Sequence, residues 1–152
     1  MDSNSRPSQS RPAKIARLPC ACATLRRTTR LVSQLYEEAL RPRGITGPQF
    51  TLMQALKVGP GMSQNQLATV LGMDSTTLTR SLALLRKRGW VVSQPGEDRR
   101  VVRLSLTRAG ERQFERALPH WESAQKRLKK ALGDDNWNKM IDAVVRTAEL
   151  IQ

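Results

Sequence analysis

The chain has 152 residues, of which 39% are apolar, enough for one domain with a core and too few for two of usual size. Its formal charge of +13 favours a polyanionic partner, nucleic acid above all, because each Lys or Arg set on a phosphate releases a condensed counterion. No apolar run approaches the roughly 20 residues that span a bilayer, and the N-terminal segment lacks the apolar stretch of a secretory signal. Two cysteines supply no disulfide framework, so a reducing, cytoplasmic setting is expected.

The charge is unevenly distributed. Lys and Arg against Asp and Glu number 9 and 3 over residues 1–45, 1 and 0 over 46–73, 8 and 3 over 74–110, and 8 and 7 over 111–152. The nearly neutral last third reads as a structural or association segment, and an anion would be held by the middle and the N-terminal third.

Residues 1–17 are rich in Ser, Pro and Arg and cannot offset the entropy of ordering themselves, which predicts a flexible basic arm. Pro19 suits the first position of a helix, and Leu25, Leu31, Val32, Leu35 and Ala39 give it an apolar stripe up to about Leu40. Arg41-Pro42-Arg43-Gly44 breaks that helix. Thr46 then caps a second one with Phe50, Leu52, Met53 and Leu56 on its apolar face, ended by Gly59-Pro60-Gly61.

Ser63 caps a short helix over 64–71, Gly72-Met73 makes a tight turn, and Asp74 caps a helix over 75–88. Two helices joined by a Gly-containing turn form the helix-turn-helix pattern. Leu78, Leu82 and Leu85 should face inward, leaving Ser75, Thr76, Thr79 and Arg80 near the N-terminal end of the outward side. Gly89 stops the helix. Trp90-Val91-Val92 reads as a strand, Gln94-Pro95-Gly96-Glu97-Asp98-Arg99-Arg100 as a basic turn, and Val101 to Leu106 as the returning strand. Arg99 or Arg100 can enter the narrow minor groove of DNA, where the negative potential is enhanced. Asp98, an anion on such a surface, either orients Arg100 or Arg80 by charge-assisted hydrogen bonds or merely forms the turn.

Thr107 caps a long helix in which Phe114, Leu118, Trp121, Leu128 and Leu132 recur at three-four spacing, with Pro119 expected to bend it. A break at Gly133-Asp134-Asp135 leads to a last helix carrying Trp137, Ile141, Val144, Ala148 and Ile151 at the same spacing. Long amphipathic helices with little net charge call for a partner surface, and a second copy of the chain is the expected one.

Residues 63–110 resemble the MarR family of winged helix-turn-helix transcriptional regulators. Asp98-Arg99-Arg100, the alternating strand and Leu106-Thr107-Arg108-Ala109-Gly110 are similar to that family's wing signature, Asp-x-Arg followed by a strand and Leu-Thr-x-x-Gly. Leu78-Thr79-Arg80 through Leu85-Arg86-Lys87-Arg88-Gly89-Trp90 resembles its recognition helix, and Thr46-Gly47-Pro48-Gln49-Phe50 its second helix. The likeness extends over roughly residues 20–152. It implies a mainly α fold with a small β-wing: a winged helix-turn-helix over 46–107, with N- and C-terminal helices (18–45 and 108–152) forming a dimerisation domain. It also implies a homodimer on a pseudo-palindromic operator, usually a repressor released by a signal. On this reading Thr76, Thr79 and Arg80 read base edges beside Ser75, Ser63 and Gln64 hold phosphate, and Arg99 and Arg100 carry the wing.

Cys20-Ala21-Cys22 is the unusual chemistry of the chain. Thiols at i and i+2 of a helix point to nearly opposite sides, so an intrachain disulfide would be strained, whereas at a frayed end they can chelate a soft metal ion or react singly. The positive end of the first helix and Arg17, Arg26 and Arg27 favour the thiolate, the form that attacks peroxides and binds metals. One branch of the resembled family senses organic hydroperoxides through a Cys near the start of the first helix assisted by Tyr residues, and Cys22 with Tyr36 resembles that arrangement. It departs from it in having a single Tyr. The bland alternative is two small buried side chains, and an inducer bound between dimer helices and winged lobe would leave both thiols idle.

His120 has no partners to complete a zinc set and reads as a surface or interface residue. Met53, Met62, Met73 and Met140 read as core filling, and Lys126-Arg127-Leu128-Lys129-Lys130 as a solvated face. The chain has no phosphate loop, nucleophile elbow or catalytic acid pair, which argues against an enzyme; no cofactor is required. An architectural protein that coats DNA without sequence preference is the rival of a different class.

Overall fold

The computed structural model describes residues 19–96 and 102–151. The basic arm over residues 1–17 and the wing tip with Asp98, Arg99 and Arg100 lie outside the described residues. The order is α1 (Ala21–Leu40), a 3-10 turn (Arg41–Arg43), α2 (Gly47–Val58), β1 (Met62–Ser63), α3 (Gln64–Leu71), α4 (Ser75–Lys87), β2 (Val91–Pro95), β3 (Val102–Leu106), α5 (Arg108–Leu132) and α6 (Asp134–Leu150).

Local chemistry sets most of these boundaries. Thr46 and Ser63 each accept a hydrogen bond from the backbone N–H three residues on, while Gln49 and Gln66 reach back to the cap's own N–H. These reciprocal pairs satisfy donors that the first helical turn would otherwise leave unpaired. Asp74 accepts from the N–H and the hydroxyl of Thr77 to start α4, and Thr107 accepts from the N–H of Gly110 to start α5. Gly72 adopts φ 59° at the end of α3, a left-handed conformation that costs glycine no Cβ clash.

The strands form one antiparallel sheet in the order β1-β3-β2. Met62 pairs with Leu104 and Ser63 with Arg103, while Val91 pairs with Leu106 and Pro95 with Val102. β1 was not expected, since two residues cannot show alternation. The second strand also runs on through Gln94 and Pro95, which the sequence places in the turn. Pro95 is tolerated because β2 is an edge strand.

The core lies beneath the helix-turn-helix. Phe50, Leu52, Met53, Leu56, Leu67, Leu78, Leu82, Leu85 and Leu104 are all buried. Phe50 stacks on Phe114 with ring centroids 4.9 Å apart and on Trp121 at 5.6 Å, which ties α2 to α5. Met62 and Met73 pack at the edge of this core, but Met140 is not part of it.

One further expectation changes. α1 begins at Ala21 rather than Pro19, and Cys20 is its N-cap in extended backbone with no side-chain cap. α5 continues through Pro119 as one helix. α6 buries none of its residues within the chain, and Val144, Val145, Leu150 and Ile151 are at least half exposed, as are Leu25 and Leu31 to nearly the same degree.

Candidate nucleic-acid interface

Helix α4 is seated by Leu78, Leu82 and Leu85, each with no exposed surface. At about 100° per residue, the side opposite these leucines carries Thr76, Arg80, Ala83 and Lys87, all exposed. Arg80 and Lys87 have no bonding partner among the described residues. Ser75 and Thr79, which the sequence places on the same outward face, lie on the flank toward α3. There Gln64 Nε2 donates to Thr79 Oγ1 at 2.7 Å, and Thr79 Oγ1 donates to the Ser75 carbonyl at 2.7 Å. Ala83 and Lys87 extend the outward face beyond the N-terminal turns of α4, as helical periodicity requires.

Ser63 serves as a cap, its hydroxyl accepting from Gln66 N at 3.2 Å, and retains its own hydrogen to donate. The Asp74 carboxyl is held below the ordinary aspartate range, first by the Thr77 hydroxyl and then by the Thr77 backbone N–H. It remains an anion at the start of α4, where the helix dipole favours one.

Several cations of the basic middle segment are structural ties. Arg86 Nη2 donates to Ser93 Oγ at 2.7 Å, binding α4 to β2, while its Nε is buried with no partner among the described residues. Arg103 Nη1 donates to the Gly61 carbonyl at 2.9 Å. Arg88 Nη1 donates to the Gly44 carbonyl at 2.5 Å and lies 4.8 Å above the Trp90 ring. The same turn is held from α5: Gln113 Nε2 donates to the Arg43 carbonyl at 2.7 Å, and Arg43 Nε to His120 Nε2 at 2.8 Å. His120 thus links two elements. The last three of these hydrogen bonds join residues 44 to 77 positions apart, and no local pattern announces them.

Cys20 and Cys22 are free and exposed, not buried side chains. Because Cys20 lies outside the helix, the opposed geometry expected of helical i and i+2 positions does not apply to the pair. Among the described residues no group of three or more His, Cys, Asp or Glu could hold a metal ion. Tyr36 is not near Cys22 within the chain: fourteen residues of helix separate them, roughly 21 Å at 1.5 Å per residue. Its hydroxyl instead donates to Gln125 Oε1 on α5, and burial raises its pKa above the ordinary phenol value. Tyr36 also helps line a cavity of about 370 Å³ with Val32, Glu37, Phe50, Met73 and Trp121, between α1, α2 and α5. Glu37 is partly spent there, its Oε1 accepting from Gly47 N at 2.7 Å. Lys129 of the basic run pairs with Asp134 at 3.2 Å, both exposed, a contact of little energetic weight.

A helix-turn-helix with an exposed polar second helix, a three-stranded sheet behind it and flanking long helices defines a winged-helix protein. A model of the MarR family matches residues 43–101. The HTH-type transcriptional regulator YwoH of Bacillus subtilis is 30% identical over 92 residues, 60% of this chain and 66% of that protein. The chain therefore spans about two thirds of the length of this curated relative. Among solved structures, the transcriptional regulator MosR of M. tuberculosis in complex with DNA matches with a TM-score of 0.76 and 34% identity, over 88% of this chain and 98% of that one. The transcriptional repressor CouR on a 23-mer DNA duplex matches with a TM-score of 0.79 and 27% identity over 85% and 92%, and CouR is also similar in its complex with p-coumaroyl-CoA. The chain belongs to the MarR family. These relatives are transcriptional regulators rather than enzymes. Among the described residues no helix is long and apolar enough to cross a membrane.

Proposed function

We propose that the chain is a transcriptional regulator that binds double-stranded DNA as a homodimer, acting as a repressor on a pseudo-palindromic operator and leaving it on a signal. Half-sites would lie about one helical turn apart, on the order of 10 base pairs. The observation that carries this reading is the stripe of Thr76, Arg80, Ala83 and Lys87, polar or small, exposed and presented by three buried leucines. In it Thr76 and Arg80 read base edges, with Thr79 and Ser75 beside them. Ser63 and Gln64 hold phosphate, Arg99 and Arg100 supply the wing, and Asp98 orients an arginine. The unburied apolar face of α6, with Leu25 and Leu31 of α1, supports pairing with a second copy. A cytoplasmic location fits this role.

The signal is read at Cys20 and Cys22, exposed at the N-terminal end of α1, by oxidation of a thiol or by a soft metal ion that takes further ligands from elsewhere. Assistance from Tyr36 would require the tyrosine of another copy. A second reading has its own observation: the cavity beside Tyr36 and Trp121 is of a size to take a small aromatic inducer, which would leave the cysteines idle.

The test is release from the duplex upstream of the chain's own gene. Organic hydroperoxide, a soft metal ion such as cadmium, and a panel of aromatic compounds are added to wild type, Cys20→Ser and Cys22→Ser. Release that one substitution abolishes makes that thiol the sensor. Release by an aromatic compound alone, unaffected by either substitution, moves the signal to the cavity. Binding that persists under every treatment overturns both.

A further inference from the structure

The regulator reading assigns Thr79 to the DNA-facing surface without saying which base feature it recognises, and its hydrogen bonds narrow the choice. A threonine hydroxyl has one hydrogen and two lone pairs. The hydrogen goes to the Ser75 carbonyl at 2.7 Å, and one lone pair takes the Gln64 Nε2 hydrogen at 2.7 Å. The side chain is thus held by its own helix and by α3, and it has no hydrogen left to donate.

The major-groove edge of guanine offers only the acceptors N7 and O6, and thymine offers the acceptor O4 beside its 5-methyl group. A residue that cannot donate gains nothing from any of these acceptors. What it still presents is the Cγ2 methyl, whose apolar counterpart in the groove is the thymine methyl, and one lone pair, which only the amino group of adenine or cytosine could fill and which would show as indifference to the loss of a thymine methyl. Arg80, one residue on, is the opposite case: exposed, unpartnered among the described residues, and able to offer the paired N–H donors that fit guanine.

Resting on the regulator reading above, we propose that Thr79 is a specificity-determining residue that recognises a thymine through methyl contact, with its hydroxyl reserved by Gln64 and Ser75. A half-site then pairs a guanine for Arg80 with a thymine for Thr79.

The experiment begins with a duplex selected from a random pool by the purified full-length protein, and each thymine of a half-site is replaced singly by uracil, which removes only the 5-methyl group. At one position wild type should bind uracil about four-fold more weakly, the worth of one buried methyl-sized group. Thr79→Ser keeps both hydrogen bonds and removes Cγ2, so it should bind the two duplexes equally. Thr79→Val keeps a methyl group and removes the hydroxyl, so it should still discriminate. Discrimination that survives in Thr79→Ser, or disappears in Thr79→Val, overturns the proposal. So does a wild type indifferent to every uracil while still preferring the selected duplex to random DNA. If wild type prefers no duplex at all, the regulator reading falls and this inference falls with it.

Discussion

Replacing Gly110 by alanine sets two effects of opposite sign against each other. Gly110 is buried in the first turn of α5, where alanine in place of glycine ordinarily gains about 0.8–1 kcal/mol. A Cβ at this position would stand 2.1 Å from the Trp90 carbonyl oxygen, 2.9 Å from its carbon and 3.1 Å from its Cα. All three are backbone atoms, so no side chain can swing aside, and the strand entrance must move by more than an ångström to restore ordinary contact. The same carbonyl accepts from Thr107 N at 3.0 Å, a bond worth roughly 0.5–1.5 kcal/mol that the displacement endangers. Overpacking of this kind costs about 1–3 kcal/mol or more, so Gly110→Ala should be net destabilising by roughly 1–3 kcal/mol. At about 2–4 °C per kcal/mol for a chain of this size, Tm should fall by several degrees. Thermal unfolding at one fixed protein concentration measures it, the concentration being held because association shifts Tm. DNA affinity should fall too, since Trp90 leads into β2. A Tm that rises, as helix propensity alone demands, refutes the packing argument.

Arg88→Ala should lower Tm by the equivalent of about 1 kcal/mol through loss of the Gly44 bond and the Trp90 contact, leaving the salt dependence of DNA binding unchanged; a slope reduced by about one ion per subunit would make Arg88 a phosphate contact instead. Arg100→Ala, by contrast, should flatten that slope by about one ion per subunit, and an unchanged slope would remove Arg100 from the wing's role. Asp74→Ala should weaken α4 and DNA binding at neutral pH. Because the folded carboxyl titrates below its ordinary range, its contribution is present above the unfolded-state value and is lost as pH falls through the folded one. Urea titrations of wild type and Asp74→Ala should therefore converge in acid, and a constant difference at all pH values would deny the charge any part.

Caps and periodic leucines were legible because their causes are local. Thr46, Ser63, Asp74 and Thr107 act on atoms three residues away, and Leu78, Leu82 and Leu85 follow the helical repeat. What was not legible depends on distant partners. β1 exists only because β3 offers it an edge, and Arg88 became a tie because Gly44 lies beneath it. Thr79 is restrained by a residue fifteen positions earlier, so its type at that position says nothing of which of its groups is available. The family's closing glycine, a bare consensus letter in Leu-Thr-x-x-Gly, acquires a cause once Trp90 is seen against Gly110. Cys22 and Tyr36 were paired by resemblance to a family branch, and the length of α1 keeps the two apart within one chain.

The most direct test of a sequence-reading regulator is the affinity of the purified full-length protein for its selected duplex against a random duplex of equal length, both at one salt concentration. Specific regulators gain at least ~10³ over their non-specific binding, and a ratio of that order is expected here. Equal affinity for the two duplexes, with a steep salt dependence in both, would contradict it and leave a protein that coats DNA by charge alone.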